Sequence, residues 1–271
     1  MVSQSSPILS DLAQAPAPLP ELAPPSRGGL QQGRVKETRR VRRIRPVAAG
    51  SVSPAIRCLV EGRELVAPEG NQSAGYRWAK RALDVAGAVA LLGLLGPVMA
   101  ALYAVLYITT RGQPVYRQVR IGYRGRPFTM YKFRTMRLDA DRIQDTVANE
   151  QAGPVFKNRR DPRITRLGRW LRKTSLDETP QLVNVLRGEM SLVGPRPPVG
   201  REVAKYEPWQ RRRLSVKPGL TCLWQISGRN EIDFENWVRM DLWYVRHQTV
   251  WTDLALLFRT PVSVITCRGA Y

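Results

Sequence analysis

Histidine and cysteine are scarce in this chain of 271 residues, and their scarcity excludes several kinds of site. There is one histidine, His247, and the three cysteines, Cys58, Cys222 and Cys267, lie far apart. Ligands so scattered do not build a zinc cluster, and an odd set of cysteines without regular spacing argues against a disulfide framework. A single histidine also disfavours Ser-His-Asp catalysis. Any enzymatic chemistry is therefore expected to depend on carboxylates and arginines.

Acidic residues are few as well, with 22 Asp and Glu against 43 Lys and Arg, for a net charge of +21. Such an excess indicates an anionic partner, whether nucleic acid, anionic lipid or a phosphorylated metabolite. The sequence contains neither a P-loop nor a GxGxxG fingerprint at a strand–helix junction. Their absence disfavours the standard nucleotide-binding folds.

Residues 1–75 have little hydrophobic periodicity and do not resemble a domain. They contain nine prolines and a basic cluster at 39–45, with no basic segment leading into an apolar core as in a signal peptide. Solvation or contact with lipid headgroups explains that cluster better than a specific nucleic-acid contact. The composition predicts a disordered, Pro-rich and basic leader.

Charge is absent from residues 85–108, a run of 24 residues. At about 1.5 Å per residue, a helix of this length reaches roughly 36 Å, enough to cross a hydrocarbon core of about 30 Å. The alternative is a core helix of a soluble protein, which rarely runs so long without a polar face. The run therefore predicts a membrane protein.

A proline in the middle of this run bears on how the helix enters the bilayer. Pro97 removes a backbone hydrogen bond and is expected to kink the helix. Basic residues flank the run on both sides, whereas a spanning helix carries its Lys and Arg excess on the cytoplasmic side. The pattern favours a re-entrant helix over a simple span, with 76–110 in the membrane and 111–271 forming a domain at its surface.

Local patterns predict the main elements of that domain. Residues 114–118 and 128–133 alternate as strands around a turn at 122–125. Residues 161–173 predict a basic amphipathic helix of the kind that lies in the headgroup plane. A further helix is expected from Ser175 to Gly188, and others at 234–244 and 250–265, the last of them interfacial or packed rather than spanning.

The acidic doublet Asp177-Glu178 has two interpretations. Ser175 followed by Glu178 three residues later has the pattern of a capping box, which would make the doublet structural. Two carboxylates at one helix start could equally bind Mg²⁺ together with substrate phosphates. Arg172 upstream and Arg196, in a proline-rich turn downstream, supply guanidinium groups suited to phosphate, and favour the second interpretation. Such cations are also expected to lower a carboxyl pKa.

Six motifs in order carry a resemblance to a known family. They are KRALD at 80–84, GP at 96–97, YKFRTM at 131–136, DPRITRLGRWLRKTSLDETPQL at 161–182, SLVGPRP at 191–197 and KPGLTCLWQISGRN at 217–230. From about residue 78 onward the chain resembles the bacterial sugar transferases. These are the monotopic phosphoglycosyl transferases that start exopolysaccharide and O-antigen assembly.

The resemblance implies a fold and a location. The fold is of the α/β class: a re-entrant membrane helix plus a small cytoplasmic α/β domain with amphipathic helices at the interface. The location is the cytoplasmic face of the bacterial inner membrane. Anionic membrane lipids are expected partners, nucleic acid is not, and a homo-oligomer is left open.

The resemblance also implies a reaction. Family members transfer a hexose 1-phosphate, here of the galactose or glucose type, from a UDP-sugar to undecaprenyl phosphate with release of UMP. Asp177 would attack the β-phosphate and form a covalent phosphosugar intermediate, with Asp177 and Glu178 holding Mg²⁺. A membrane-tethered basic binding or scaffold protein without catalysis is the alternative.

By the same resemblance, further residues acquire expected roles. Substrate binding falls to Arg172, Arg196, Lys132 and Arg229. Lys80, Arg81 and Asp84 are expected to attach the membrane helix to the domain, and Pro97 is expected to bend it.

Overall fold

The computed structural model describes residues 69–150, 154–156, 158, 160–228 and 232–265. The predicted leader, residues 1–75, lies outside these residues except for its last seven. The helices are α1 (Ala74–Thr109), α2 (Arg166–Lys173), α3 (Leu182–Arg187), α4 (Gly200–Val203), α5 (Pro208–Arg211), α6 (Leu223–Ser227), α7 (Phe234–Arg246) and α8 (Val250–Ile265). The strands are β1 (Val115–Ile121), β2 (Pro127–Phe133), β3 (Ser191–Val193) and β4 (Gly219–Thr221). Short 3-10 helices run over Tyr123–Gly125, Gln144–Thr146, Leu176–Gln181 and Arg212–Ser215.

Helix α1 is 36 residues long and is long and apolar enough to cross a membrane. Ser73 caps its start by accepting a hydrogen bond from the amide of Tyr76 at 3.3 Å. Only 6% of its most apolar 18-residue stretch is buried, unlike the core helix of a soluble protein, which is mostly buried. The helix is one continuous element through Pro97.

The N-terminal half of α1 is attached to the domain by polar side chains, among them Tyr76, which donates a hydrogen bond of 3.0 Å to Asp253 Oδ2. Lys80 Nζ lies 3.0 Å from the carbonyl of Val193 and 3.1 Å from Asp253 Oδ1. Arg81 donates two hydrogen bonds of 2.7 Å to carbonyls at the end of α3. Asp84, only 1% exposed, accepts hydrogen bonds from Ser191 Oγ at 2.8 Å and from the amide of Leu192 at 2.9 Å.

The C-terminal half of α1 contacts the same domain through apolar side chains. Leu102 and Leu106 are buried against Phe133 of β2 and Leu171 of α2. Between and around these contacts, apolar side chains such as Leu94 remain exposed. Both halves of the helix therefore pack against one body.

Two small two-stranded sheets give the domain its mixed architecture. Strands β1 and β2 form an antiparallel hairpin in which Val115 pairs with Phe133 and Ile121 with Pro127, as the sequence pattern predicts. Strands β3 and β4 are parallel, with Ser191 opposite Gly219. The second sheet has no signature in the sequence analysis, because each of its strands is only three residues long.

The helix predicted at 161–173 begins five residues later than expected. Thr165 is the N-cap of α2 and accepts a hydrogen bond from the amide of Gly168 at 2.9 Å. The preceding residues are not helical, since Ile164 forms an antiparallel bridge with Met136. Gly168 lies against the backbone of Thr135, where a Cβ atom would overlap the carbonyl oxygen. Close approach of two backbones thus fixes the position of α2.

An aromatic core lies between α6, α7 and the end of β1. The rings of Trp224 and Trp237 are 4.2 Å apart, and Phe234 meets Trp237 edge-on at 5.9 Å. Helix α8 occupies the predicted range and presents Trp251 and Phe258 to the outside, 80% and 78% exposed. Exposed large apolar side chains of this kind are typical of a surface that contacts a membrane or another protein.

Candidate active site

A cleft of about 350 Å³ opens between the β1–β2 hairpin, the 3-10 helix Leu176–Gln181 and the loop after β3. Its lining includes five of the site residues that the sequence analysis proposed: Lys132, Arg172, Asp177, Glu178 and Arg196. Arg229, the sixth, lies outside the described residues. Segments separated by tens of residues in sequence thus bring these two carboxylates and three cations into one cleft.

The capping-box interpretation of Ser175 is wrong. Ser175 has left-handed backbone angles, with φ of 59°, and its side chain caps no helix. The side chain of Glu178 does not accept a hydrogen bond from the backbone amide of Ser175, as a capping box would require. It accepts a hydrogen bond from Lys132 Nζ on β2, at 2.6 Å from Oε1. The doublet therefore faces the cleft instead of stabilising a helix end.

The two adjacent carboxyl groups have opposite pKa shifts. Burial raises the pKa of Asp177 to about 6, even though Lys132 and Arg172 act to lower it. Burial also acts to raise the pKa of Glu178, but the charge and hydrogen bond of Lys132, together with the charges of Arg196 and Arg120, outweigh it and the pKa is lowered. The expected depression by cations therefore holds for Glu178, whereas for Asp177 desolvation is the larger effect.

The two predicted phosphate-binding arginines are held by neutral partners. Arg172 Nε donates to Thr135 Oγ1 at 3.0 Å, and burial lowers the pKa of its guanidinium. The guanidinium of Arg196 lies 5.8 Å from the ring centre of Trp237, and its backbone carbonyl accepts a hydrogen bond of 3.1 Å from Arg213. Neither guanidinium forms an ion pair with a carboxylate among the described residues, which leaves both charges available to a ligand.

The loop that carries Arg196 is pressed against the start of β4. Gly194 and Gly219 face each other so closely that a Cβ atom on either would overlap the other backbone. The amide of Gly219 also donates to the carbonyl of Pro195 at 2.9 Å. Glycine at both positions therefore permits the approach that sets Arg196 at the rim of the cleft.

Sequence reasoning missed several arginines of the cleft, among them Arg120 and Arg163. Arg120 is 8% exposed and donates to the carbonyl of Pro197 at 2.9 Å, 77 residues away in the chain. Burial, with the neighbouring charge of Arg196, lowers the pKa of Arg120 to about 10. Arg163, which the helical pattern placed on a polar face, is 4% exposed and pairs with Asp161 at 2.7 Å.

The carboxylate pair is also the part of the described structure that suits a magnesium ion. Among the residues with described positions, no three His, Cys, Asp or Glu side chains form a cluster. Mg²⁺ is commonly bound by one or two carboxylates, with substrate phosphates and water completing its shell. The oxygens of Asp177 and Glu178, beside cations that suit phosphate, fit that kind of site.

Comparison with known proteins places the chain in a family. The sequence model of the bacterial sugar transferases matches residues 75–267. The chain is 47% identical over 196 residues to the galactosyl transferase CpsE of Streptococcus agalactiae, covering 71% of this chain and 43% of that protein. It is 43% identical over 203 residues to the undecaprenyl-phosphate galactose phosphotransferase of Salmonella typhimurium, covering 72% and 42%.

A shorter relative is matched along most of its length. The exopolysaccharide production protein ExoY of Rhizobium meliloti is 40% identical over 199 residues, which cover 71% of this chain and 88% of ExoY. The first two relatives are longer, and the chain spans only about two fifths of each. The match of the family model across residues 75–267 includes the whole cleft, and the chain belongs to the bacterial sugar transferase family.

Proposed function

We propose that the chain is a phosphoglycosyl transferase that moves a hexose 1-phosphate, of the galactose or glucose type, from a UDP-sugar to undecaprenyl phosphate. The observation that carries the proposal is a buried carboxylate, Asp177, in a cleft lined by Lys132, Arg172 and Arg196. The names of the relatives CpsE and the Salmonella phosphotransferase, which specify galactosyl and galactose phosphate transfer, support the same reaction.

In the donor step, Asp177 is the nucleophile. A carboxylate oxygen attacks the β-phosphorus of the UDP-sugar, and the bond from that phosphorus to the oxygen bridging the α-phosphate breaks. The bridging oxygen leaves with its electron pair as part of UMP, and the sugar phosphate stays on Asp177 as an acyl phosphate. Phosphoryl transfer requires mainly positioning and charge neutralisation, which Arg172 and Arg196 can supply.

The acceptor step regenerates the free carboxylate. A phosphate oxygen of undecaprenyl phosphate attacks the same phosphorus, the bond to Asp177 breaks, and a lipid diphosphate sugar forms. Glu178, kept ionised by Lys132, stays beside the reacting phosphorus as a fixed charge. When bound by Asp177 and Glu178, Mg²⁺ supplies further neutralisation of the diphosphate charge.

The proposed membrane arrangement rests on the contacts of α1. Its N-terminal half is bound through Asp84 and its C-terminal half through Leu106, both to the same domain. A helix fixed to one domain near both ends cannot cross the bilayer and leave its ends on opposite sides. A re-entrant α1 keeps both of its ends on the side of the domain, which then lies on the cytoplasmic face among anionic lipids. Pro97, which lies inside the continuous helix, is the expected place of a bend in the membrane.

The non-catalytic scaffold is the second candidate, and the carboxylate pair disfavours it. A basic surface that only binds an anion gains nothing from a buried acidic side chain among its cations, since that side chain repels the ligand.

A UMP-release assay tests the proposed function. Purified protein is incubated with undecaprenyl phosphate, Mg²⁺ and each member of a panel of UDP-sugars. We expect turnover with UDP-galactose or UDP-glucose and none for Asp177→Asn, which keeps the shape of the side chain without its nucleophilic charge. Normal turnover by the variant would exclude Asp177 as nucleophile, and no turnover by the wild type with any UDP-sugar would favour the scaffold.

A further inference from the structure

A second groove, of about 840 Å³, adjoins the catalytic cleft. Tyr116, Arg134 and Asp141 line both the groove and the cleft, so the two are continuous. The far end of the groove is formed by Tyr103 of α1 and by the turn that follows α1. The groove therefore connects the side of the membrane helix with the site of the carboxylate pair.

Positive charge is distributed along this groove. Arg117, Arg134 and Arg187 line it, and among the ion pairs between described residues none involves these three. Neutral groups hold two of them: Arg134 Nε donates to the carbonyl of Gln113 at 2.8 Å, and Arg187 donates to Tyr131 Oη at 2.7 Å.

Aromatic faces support the same guanidinium groups. Arg187 lies 5.2 Å from the ring centre of Tyr131, and Arg134 lies 5.6 Å from that of Tyr116. Asp141 is the acidic side chain of the groove, and it accepts a hydrogen bond from Tyr116 Oη at 3.3 Å. Three guanidinium groups against one carboxylate leave the groove positive, which suits a phosphate.

Exposed apolar side chains also line the groove. Tyr103 is 47% exposed and stacks on Tyr107, and Leu138 and Val183 are also exposed beside the groove. A surface that combines exposed apolar side chains with unpaired cations suits a ligand with a hydrocarbon chain and an anionic head.

We infer that this groove is the entry site of the acceptor lipid, an isoprenoid chain carrying a phosphate monoester. The chain lies against Tyr103 and the neighbouring apolar side chains, while Arg117 and Arg187 bind the phosphate on its way to Arg134 and the cleft. The inference rests on the proposed function, because it assigns the acceptor of that reaction to one of the two openings. The UDP-sugar then occupies the cleft itself, and the two substrates approach Asp177 from different sides.

The test separates the two half-reactions in nanodiscs of phosphatidylcholine. The double variant Arg117→Gln/Arg187→Gln removes two exposed cations of the groove, and Arg126→Gln, an exposed arginine at the far end of the hairpin, is the matched control. Without acceptor, the burst of UMP reports donor chemistry alone. With undecaprenyl phosphate, the acceptor concentration that gives half-maximal rate reports entry of the lipid.

We expect the double variant to raise that acceptor concentration about tenfold, the loss typical of one or two charge-assisted hydrogen bonds in an open site. Its UMP burst and its KM for UDP-sugar should equal those of the wild type and of Arg126→Gln. An unchanged acceptor dependence, or a burst reduced in the same proportion, would overturn the inference. If the double variant is slower than the wild type only when the nanodiscs also contain phosphatidylglycerol, the groove binds bulk anionic lipid. That result would overturn the inference as well. Failure of the proposed function is distinct, because the wild type would then give no burst.

Discussion

Lys132 Nζ lies 2.6 Å from Glu178 Oε1, across 46 residues of chain, and this ion pair distinguishes two carboxyl groups that are neighbours in sequence. Glu178 is held ionised by its partner, whereas Asp177 is buried beside it with a raised pKa. A carboxylate that is poorly solvated and not itself paired with the lysine is the more reactive nucleophile of the two.

The first prediction concerns pH. Because burial raises the pKa of Asp177 to about 6 and the proposed nucleophile is its ionised form, kcat/KM for the UDP-sugar should fall as pH drops through that value. Lys132 acts to lower the pKa, so Lys132→Met should move the acidic limb to higher pH, while Lys132→Arg should leave it nearly in place. Rate–pH profiles at a fixed Mg²⁺ concentration measure the shift. A limb that stays in place in Lys132→Met would contradict the coupling.

Arg120 provides the second prediction. It is buried in the cleft wall, forms no ion pair with a described carboxylate, and lies near Arg196. We expect Arg120→Met to lower kcat/KM for UDP-sugar by about 10- to 100-fold, the cost of one lost bond to a charged phosphate. Arg120→Lys should recover part of the activity. Arg126→Met is the control, and thermal unfolding checks that Arg120→Met is folded. Equal rates for Arg120→Met and wild type would remove Arg120 from the donor site.

The third prediction concerns the attachment of α1. Asp84→Ala leaves the Leu192 amide and the Ser191 hydroxyl without their buried acceptor, which costs about 1–3 kcal/mol. In a domain of this size each kcal/mol lowers the unfolding midpoint by about 2–4 °C. Asp139→Ala, which removes an exposed ion pair with Arg137, should change the midpoint by much less. Equal shifts for the two variants, measured in detergent, would show that Asp84 does not hold the helix.

The topology of α1 gives the fourth prediction. In a background without the native cysteines, Arg77→Cys and Thr109→Cys place single labels at two exposed positions near its ends. If α1 is re-entrant, an impermeant maleimide should label both positions from the cytoplasmic side in inverted vesicles and neither in intact cells. Labels on opposite sides would establish a spanning helix.

The sequence predicted those features that depend on neighbouring residues. The hairpin at β1 and β2, the long apolar helix and the helix end at Gly188 follow from alternation, an uncharged run and a glycine with φ of 78°. Two predictions from local patterns were wrong because the residues concerned pair with partners that are distant in sequence. Residues 161–164 pair with Met136 and with one another instead of joining α2, and Glu178 pairs with Lys132 instead of capping a helix.

The composition of the cleft could be predicted only in part. An acidic doublet with arginines on both sides in sequence indicated Asp177, Glu178, Arg172 and Arg196, and the resemblance to the family added Lys132. Arg120 has no local signal, because its burial depends on the carbonyl of Pro197 and on the close contact of two loops. The groove beside the cleft is also formed by distant segments, α1, the hairpin and α3, so sequence periodicity does not reveal it.

The most direct test of the mechanism is the mass of the protein after incubation with UDP-galactose or UDP-glucose and Mg²⁺ in the absence of acceptor lipid. The account predicts a gain of one hexose phosphate on the peptide that contains Asp177, released when undecaprenyl phosphate is added and absent from Asp177→Asn. Release of UMP from the UDP-sugar without a gain of mass on the Asp177 peptide would contradict the covalent mechanism.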